Sequence, residues 1–179
     1  MANVSVFKHG KMMSDVVDAA LTNAVLEEDI KDGALVVLGD LAADGAYTGK
    51  VEYDTYEAAA PEAETDEVVI VDYAGISEGS IAGNEYKIGI KLHNLTVPAG
   101  TATRVRRLYL HDKFWLGADN FASAPTVGEY ATATANSYKH TPAAALPQAG
   151  YAIKILVEND MTVGMHTEGK IYLVEVVQL

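Results

Sequence analysis

Short runs of β-branched and other apolar residues, separated by turn-forming residues, recur along most of this chain. Residues 34–38 (ALVVL) are flanked by Asp-Gly and Gly-Asp pairs, and residues 68–73 (VVIVDY) are soon followed by a glycine. Apolar runs bounded in this way are typical of buried β-strands. Further runs bring the predicted strands to at least six: residues 86–92, 105–110, 151–157 and 171–177.

The clearest alternation lies at residues 86–92 (YKIGIKL), where Lys87 and Lys91 fall between apolar positions. A period of two is that of a strand with one exposed face. Turns rather than helical crossovers connect the predicted strands, which favours an antiparallel sandwich or barrel over alternating strands and helices. We therefore expect a mainly β fold.

Residues 1–33 differ from the rest and allow two interpretations. Apolar residues recur at helical spacing over positions 16–25, and Ser14 would cap such a helix. However, this segment contains Val, Thr and Asn, which are mediocre helix formers, so an extended arm fits equally well. The predicted organisation is an N-terminal arm or short helix over residues 1–33, followed by one β domain over residues 34–179.

Two long loops are expected within that domain. Residues 54–67 include the run EAAAPEAETDE, which contains five acidic residues and no basic one. Residues 117–149 are rich in Ala, Thr, Ser and Pro. Loops of this length are usually functional or mobile.

The charge and the lack of cysteine exclude several function classes. Thirteen Lys and Arg residues against 25 Asp and Glu residues give a formal net charge of −12, and a nucleic-acid partner would need a basic surface. The absence of cysteine excludes disulfides, thiolate metal sites and cysteine nucleophiles. We find no apolar run near the roughly 20 residues of a membrane helix and no signal peptide, so we expect synthesis in the cytosol and no membrane binding.

Catalytic and metal-binding patterns are weak. Residues 75–79 (GISEG) match the nucleophile elbow around Ser77, but an elbow must lead into a helix, whereas the next residues lead into a predicted strand. The five histidines show none of the HxH, HxxxH or HExxH spacings. Carboxylates are abundant, but one Trp and three Phe are few for a sugar cleft. We expect a turn at Ser77, no enzyme activity and no cofactor.

The most informative charge pattern is a concentration of basic residues, which we call the basic band. Its members are Lys87, Lys91, Arg104, Arg106, Arg107 and Lys113. Such a band on an acidic protein can dock on an acidic partner surface or on a second copy of the chain. Alternatively, it balances the acidic run at residues 57–67 within one molecule. The candidate partner-binding residues are this band together with Phe7 and Trp115.

Several stretches, taken in order, resemble the small proteins that decorate or cement the capsid shell of tailed bacteriophages. They are residues 1–7 (MANVSVF), 31–39 (KDGALVVLG), 97–100 (VPAG), 108–117 (LYLHDKFWLG), 119–121 (DNF) and 151–157 (YAIKILV), then 163–164 (VG) and 170–177 (KIYLVEVV). The resemblance includes no catalytic signature and supplies no site residue.

The resemblance implies a mostly β, non-enzymatic virion protein that binds the outer capsid surface as a monomer or trimer. Its expected partners are the major capsid protein and copies of itself, and residues 1–33 would then be an extended arm. The main alternative is a receptor- or glycan-binding β-module of a phage fibre or tail tip. A third hypothesis is a small hydrolase built on Ser77 or on a pair of carboxylates.

Overall fold

The computed structural model describes residues 5–15, 20–43, 45, 47, 54–73, 96–163 and 166–179. Thirteen strands and two short 3-10 turns are defined in these ranges, with no α-helix among them. The mainly β fold expected from the sequence is confirmed. No helix within these ranges is long and apolar enough to cross a membrane.

The strands follow one another closely along the described chain. In order they are β1 (Phe7–Lys11), β2 (Leu21–Val25), β3 (Ile30–Lys31), β4 (Leu35–Leu41), β5 (Thr55–Ala59), β6 (Val69–Val71), β7 (Thr96–Val97), β8 (Thr103–Arg107), β9 (Lys113–Gly117), β10 (Tyr130–Thr134), β11 (Ser137–Ala143), β12 (Ala152–Val163) and β13 (His166–Gln178). The 3-10 turns are at Met13–Asp15 and Ala118–Asn120.

These strands build an open sheet and a closed barrel. The six-stranded sheet has the order β1-β9-β13-β12-β10-β11, and all its neighbours are antiparallel. The barrel has the order β2-β5-β4-β6-β8 and contains one parallel pair, β2 with β5. Strands β3 and β7 form a separate antiparallel pair. Both architectures left open by the sequence are thus present in part: a barrel, and a sheet packed against it.

Two hydrophobic cores result. The larger one lies between the barrel and one face of the six-stranded sheet, where Leu35 and Ile70 meet residues such as Phe114. The smaller one fills the barrel and includes Val36 and Val105. Leu35 and Val36 are adjacent in β4 and both are fully buried, so the beginning of this strand is buried on both faces. Double burial explains why residues 34–38 form an unbroken apolar run rather than an alternating one.

The described part of residues 1–33 forms strands that pair within the fold rather than a separate arm, and its helical structure is limited to the 3-10 turn at Met13–Asp15. Strand β1 pairs with β9, and β2 closes the barrel between β5 and β8. Phe7 anchors β1 because its ring packs on Phe114 in the main core, with the ring centroids 5.4 Å apart. Over residues 20–25 the pattern that suggested a helix belongs to a barrel strand.

The two expected long loops are shorter than predicted. Residues 54–67 begin with β5, and residues 117–149 contain a 3-10 turn and the hairpin of β10 and β11. Strand β10 buries Ala131 and Ala133 completely, and such small side chains give a weak hydrophobic signal in the sequence. The strand expected at residues 86–92 lies outside the described residues.

Candidate functional site

Two arginines of the basic band meet Asp72 where the barrel contacts the six-stranded sheet. Arg104 and Arg106 are two residues apart on β8 and therefore point to the same face of that strand. Asp72 follows the neighbouring strand β6 and donates its backbone N–H to the Arg104 carbonyl oxygen at 3.0 Å. Its Oδ2 accepts hydrogen bonds from Arg104 Nε at 2.9 Å and Arg106 Nε at 2.6 Å.

The N-terminal segment completes this group, which we call the ionic cluster: His9, Asp15, Asp72, Arg104 and Arg106. His9 Nδ1 lies 3.0 Å from Asp15 Oδ1, and His9 Nε2 lies 3.3 Å from Asp72 Oδ2. Arg106 Nη1 donates to Asp15 Oδ1 at 3.1 Å. The cluster therefore connects β1 and the turn after it to the barrel.

Burial and the neighbouring groups shift the pKa of Asp72 in opposite directions. Burial on its own would raise the pKa of Asp72, but hydrogen bonds from His9 and Arg106 and the charges of both arginines lower it to about 2. Arg106 is itself only 4% exposed. Buried charges are tolerated when they are paired and hydrogen-bonded, and this pair meets that condition.

Asp32 lies close to the cluster and is bound by the backbone of two other segments. Its Oδ2 accepts the Phe7 N–H at 2.8 Å, and its Oδ1 accepts the Tyr73 N–H at 2.9 Å. Burial raises the pKa of Asp32 to about 7, although these two bonds act in the opposite direction and the nearby Asp72 carboxylate raises it further. Asp32 therefore joins β1 to the segment that follows β6.

The basic band is thus divided among different environments. Arg106 is buried in the ionic cluster, which corrects its assignment as a residue that contacts a partner. Arg107 is exposed and pairs with Glu67 at 2.7 Å, as expected if the band balances the acidic run at residues 57–67. Lys87 and Lys91 lie outside the described residues, as does Ser77.

The remaining predicted residues separate into a core residue and two surface residues. Phe7 is only 6% exposed, so it is a core residue and not a surface anchor, which is a second correction. Lys113 and Trp115 are partly exposed on β9. Their side chains point away from the main core because the buried residues Phe114 and Leu116 alternate with them.

Lys113 and Trp115 belong to a surface that we call the sheet outer face, the side of the six-stranded sheet opposite the main core. Cross-strand neighbours form two rows on it. The first row runs across four strands in the order Lys8, Trp115, Leu173, Val157. The second row runs in the order Lys11, Lys113, Glu175, Lys154, Tyr130.

The first row is mainly apolar and the second mainly charged. Val157 is 40% exposed, and Trp115 and Leu173 are partly exposed. Lys113 Nζ lies 3.5 Å from Glu175 Oε2, and Lys154 Nζ lies 6.0 Å from the centre of the Tyr130 ring. Across both rows, four lysines stand against one glutamate, so this face carries a positive charge on an acidic protein.

Sequence reasoning found only two of these nine residues. Lys8, Lys154 and Leu173 come from three different strands, and their neighbourhood depends on strand order and register. A usable signal was present in residues 151–157 (YAIKILV), where Lys154 interrupts an apolar run as an outward-facing residue does.

No group of three His, Asp or Glu side chains in the described ranges is arranged to hold a metal ion. The absence of a cofactor stays a prediction. No family model, curated protein or solved structure matches this chain.

Proposed function

We propose that this chain is a non-enzymatic virion structural protein that binds the outer surface of a phage capsid and stabilises it. Its partners in this role are the major capsid protein and copies of itself, and its location is the capsid surface. The observation that carries the proposal is where the resembling stretches lie in the fold. Residues 31–39, 108–117 and 151–157 provide Leu35, Phe114, Leu116, Ile153 and Ile155, all of them completely buried in the main core.

The stretches that carry the resemblance therefore contribute to the hydrophobic core of this chain and not only to its turns. Core residues of suitable size and pattern help a chain to reach its fold. The support for the proposal is the sequence resemblance itself.

The use of ionisable side chains also supports a structural role. Asp32, Asp72 and Arg106 are buried and join segments that are distant in the sequence. In each case the bonds tie the N-terminal segment or the region after β6 to the rest of the molecule. A protein that reinforces a shell benefits from such cross-links because its own unfolding would release the shell.

The net charge fits assembly on a template. A formal charge of −12 makes free copies repel one another and remain dispersed before assembly. On a lattice of capsid proteins, many individually weak contacts then add up to stable binding.

The test uses undecorated capsids assembled from the major capsid protein that the same genome encodes. We expect the purified chain to sediment with these shells and to raise the temperature at which they break open. An unrelated β protein of similar size and acidity serves as the control. Failure to sediment with shells under all ionic conditions would overturn the proposal, and binding to cells or isolated glycans would instead support the fibre or tail-tip alternative.

A further inference from the structure

We propose that the sheet outer face is a docking surface for an acidic protein surface that has an apolar centre. The inference rests on the proposed function, in which the occupant is an acidic area of the capsid shell. It names the part of this chain that makes the contact and the chemistry of the surface that receives it.

The apolar part of the contact comes from the first row. Trp115 lies between Lys8 and Leu173, and Leu173 in turn neighbours Val157. A large aromatic residue with aliphatic neighbours on a rigid sheet is the usual composition of an energetic centre in protein interfaces. These side chains lie on the central strands β9, β13 and β12, so the backbone beneath them is held on both sides.

The charged part decides the kind of partner. Four lysines contribute four positive charges, whereas Glu175 contributes one negative charge; the lysines are Lys8, Lys11, Lys113 and Lys154. The whole chain carries −12, so this local excess is opposite in sign to the rest of the protein. Complementary charge at the edge of an interface steers association and sets the orientation of the partner.

A second copy of the chain is a poorer occupant of the same face. A symmetric pair would bring identical surfaces together. Two faces of the same net positive charge would then meet, and like charges across an interface are unfavourable. A different protein with an acidic surface meets no such repulsion.

The first experiment needs no capsid. The probe is an immobilised random copolymer of glutamate and tyrosine, an acidic polypeptide with apolar rings. Binding is measured at physiological ionic strength, where charges further away than about 8 Å are largely screened. We expect the Lys8→Glu/Lys154→Glu variant to bind about tenfold more weakly than the wild type, because it reverses two of the four lysines on the face.

The matched control is Arg107→Glu/Lys170→Glu, which changes the net charge by the same amount away from this face. We expect it to bind the copolymer as the wild type does. Trp115→Ser should also weaken binding, whereas Leu110→Ser should not, since Leu110 is 56% exposed in a turn outside the sheet. Circular dichroism and thermal unfolding of each variant verify that it is folded.

The same four variants are then added to capsids. If the variants bind shells in the same order of strength as they bind the copolymer, the contact with the shell lies on the sheet outer face. Equal weakening in both double variants, or no binding of the wild type to the copolymer, would overturn the inference even where the wild type binds shells. Face-dependent binding to the copolymer without binding to shells would overturn the proposed function and leave the inference standing. Self-association in sedimentation velocity that Trp115→Ser abolishes would identify a second copy as the occupant and overturn the acidic partner.

Discussion

Asp72 Oδ2 and Arg106 Nε lie 2.6 Å apart where the barrel meets the six-stranded sheet, and their side chains are only 10% and 5% exposed. His9 and Asp15 extend this pair to the N-terminal segment. The position of β1 therefore depends on a buried charge pair as well as on the packing of Phe7. Removing Asp72 is costly, because Arg106 then stays buried with only the partly exposed Asp15 as a charged partner.

Asp72→Asn should lower the free energy of unfolding by about 3 kcal/mol, since it leaves Arg106 buried beside a neutral amide. Urea denaturation followed by circular dichroism measures this difference. The control is Glu67→Gln, which disrupts the exposed pair with Arg107 and should cost less than about 1 kcal/mol. Similar losses in the two variants would show that the buried pair has no special role.

Because of the lowered pKa of Asp72, we expect the free energy of unfolding to decrease at acid pH. The pKa of Asp72 is about 2 in the folded protein against an ordinary value of 3.8. The unfolded chain therefore takes up this proton first, and the stabilisation present above pH 4 is lost as the pH falls towards 2. Wild-type stability should decrease in this range more steeply than that of Asp72→Asn. Parallel curves of unfolding free energy against pH would contradict this expectation.

The contribution of Asp32 to the free energy of unfolding should fall with rising pH, in contrast to that of Asp72. Its pKa is about 7 when folded and 3.8 in an ordinary environment, so the folded state retains this proton while the unfolded chain releases it. Its contribution to stability therefore falls as the pH rises from about 4 to about 7, by at most about 4 kcal/mol. The unfolding free energy of the wild type relative to Asp32→Asn should decrease over this range, and a difference that is constant or rises would refute the assignment.

The contribution of His140 to the free energy of unfolding should rise with pH over nearly the same range in which that of Asp32 falls. It is completely buried, Tyr151 Oη lies 3.2 Å from its Nδ1, and Gly33 O lies 3.2 Å from its Nε2. Complete burial lowers the pKa of His140 from 6.5 to about 4, against the effect of the Gly33 bond. The unfolded chain binds this proton first. The contribution of His140 to the free energy of unfolding is therefore fully present above about pH 6.5 and decreases by about 3 kcal/mol towards pH 4.

The measurement is the pH dependence of unfolding for His140→Gln beside the wild type. As the pH falls from 6.5 to 4, the free energy of unfolding of His140→Gln minus that of the wild type should rise by about 3 kcal/mol, whatever the difference at neutral pH. Exposed His111, with a side chain that is 80% exposed, provides the control through His111→Gln. A difference between His140→Gln and the wild type that stays constant over this range would contradict the role of His140. Since Asp32 and His140 have opposite slopes, each single variant should reveal the slope of the other.

The fold could be predicted where burial leaves a strong pattern. The beginning of β4 is buried on both faces, so Leu35 and Val36 stand in an apolar run that is visible in the sequence. Strand β10 could not be recognised, because it fills its side of the core with Ala131 and Ala133. The helical spacing near residue 20 was misleading, since a barrel strand with apolar residues on both faces produces a similar pattern.

The candidate site was only partly predictable for a different reason. Trp115 and Lys113 stand out by residue type, but Lys8 and Lys154 join them through strand register, which pairs residues far apart in the chain. Arg106 was assigned to the surface because arginine is usually exposed. Its partner Asp72 lies 34 residues away, and nothing local indicates that the two meet.

At Gly150 the backbone of one loop lies so close to the backbone of another, at Glu64, that no side chain fits between them. Its φ is +80°, and a Cβ at this position would collide with the backbone carbonyl of Glu64. Gly128 has a similar φ of +94° but has open space around it. Gly128→Ala should therefore cost only the backbone strain of about 1 kcal/mol, whereas Gly150→Ala should cost clearly more, because the loop at Glu64 must also move.

Thermal unfolding and urea denaturation of the two variants measure this difference. In Gly150→Ala, hydrogen exchange at residues 62–66 should also increase, since Asp66 Oδ2 accepts the N–H groups of Glu62 and Ala63 in the displaced loop. In Gly128→Ala, exchange at these residues should remain as in the wild type. Equal destabilisation without faster exchange in the loop would mean that the close approach of Gly150 to Glu64 contributes nothing beyond the positive φ.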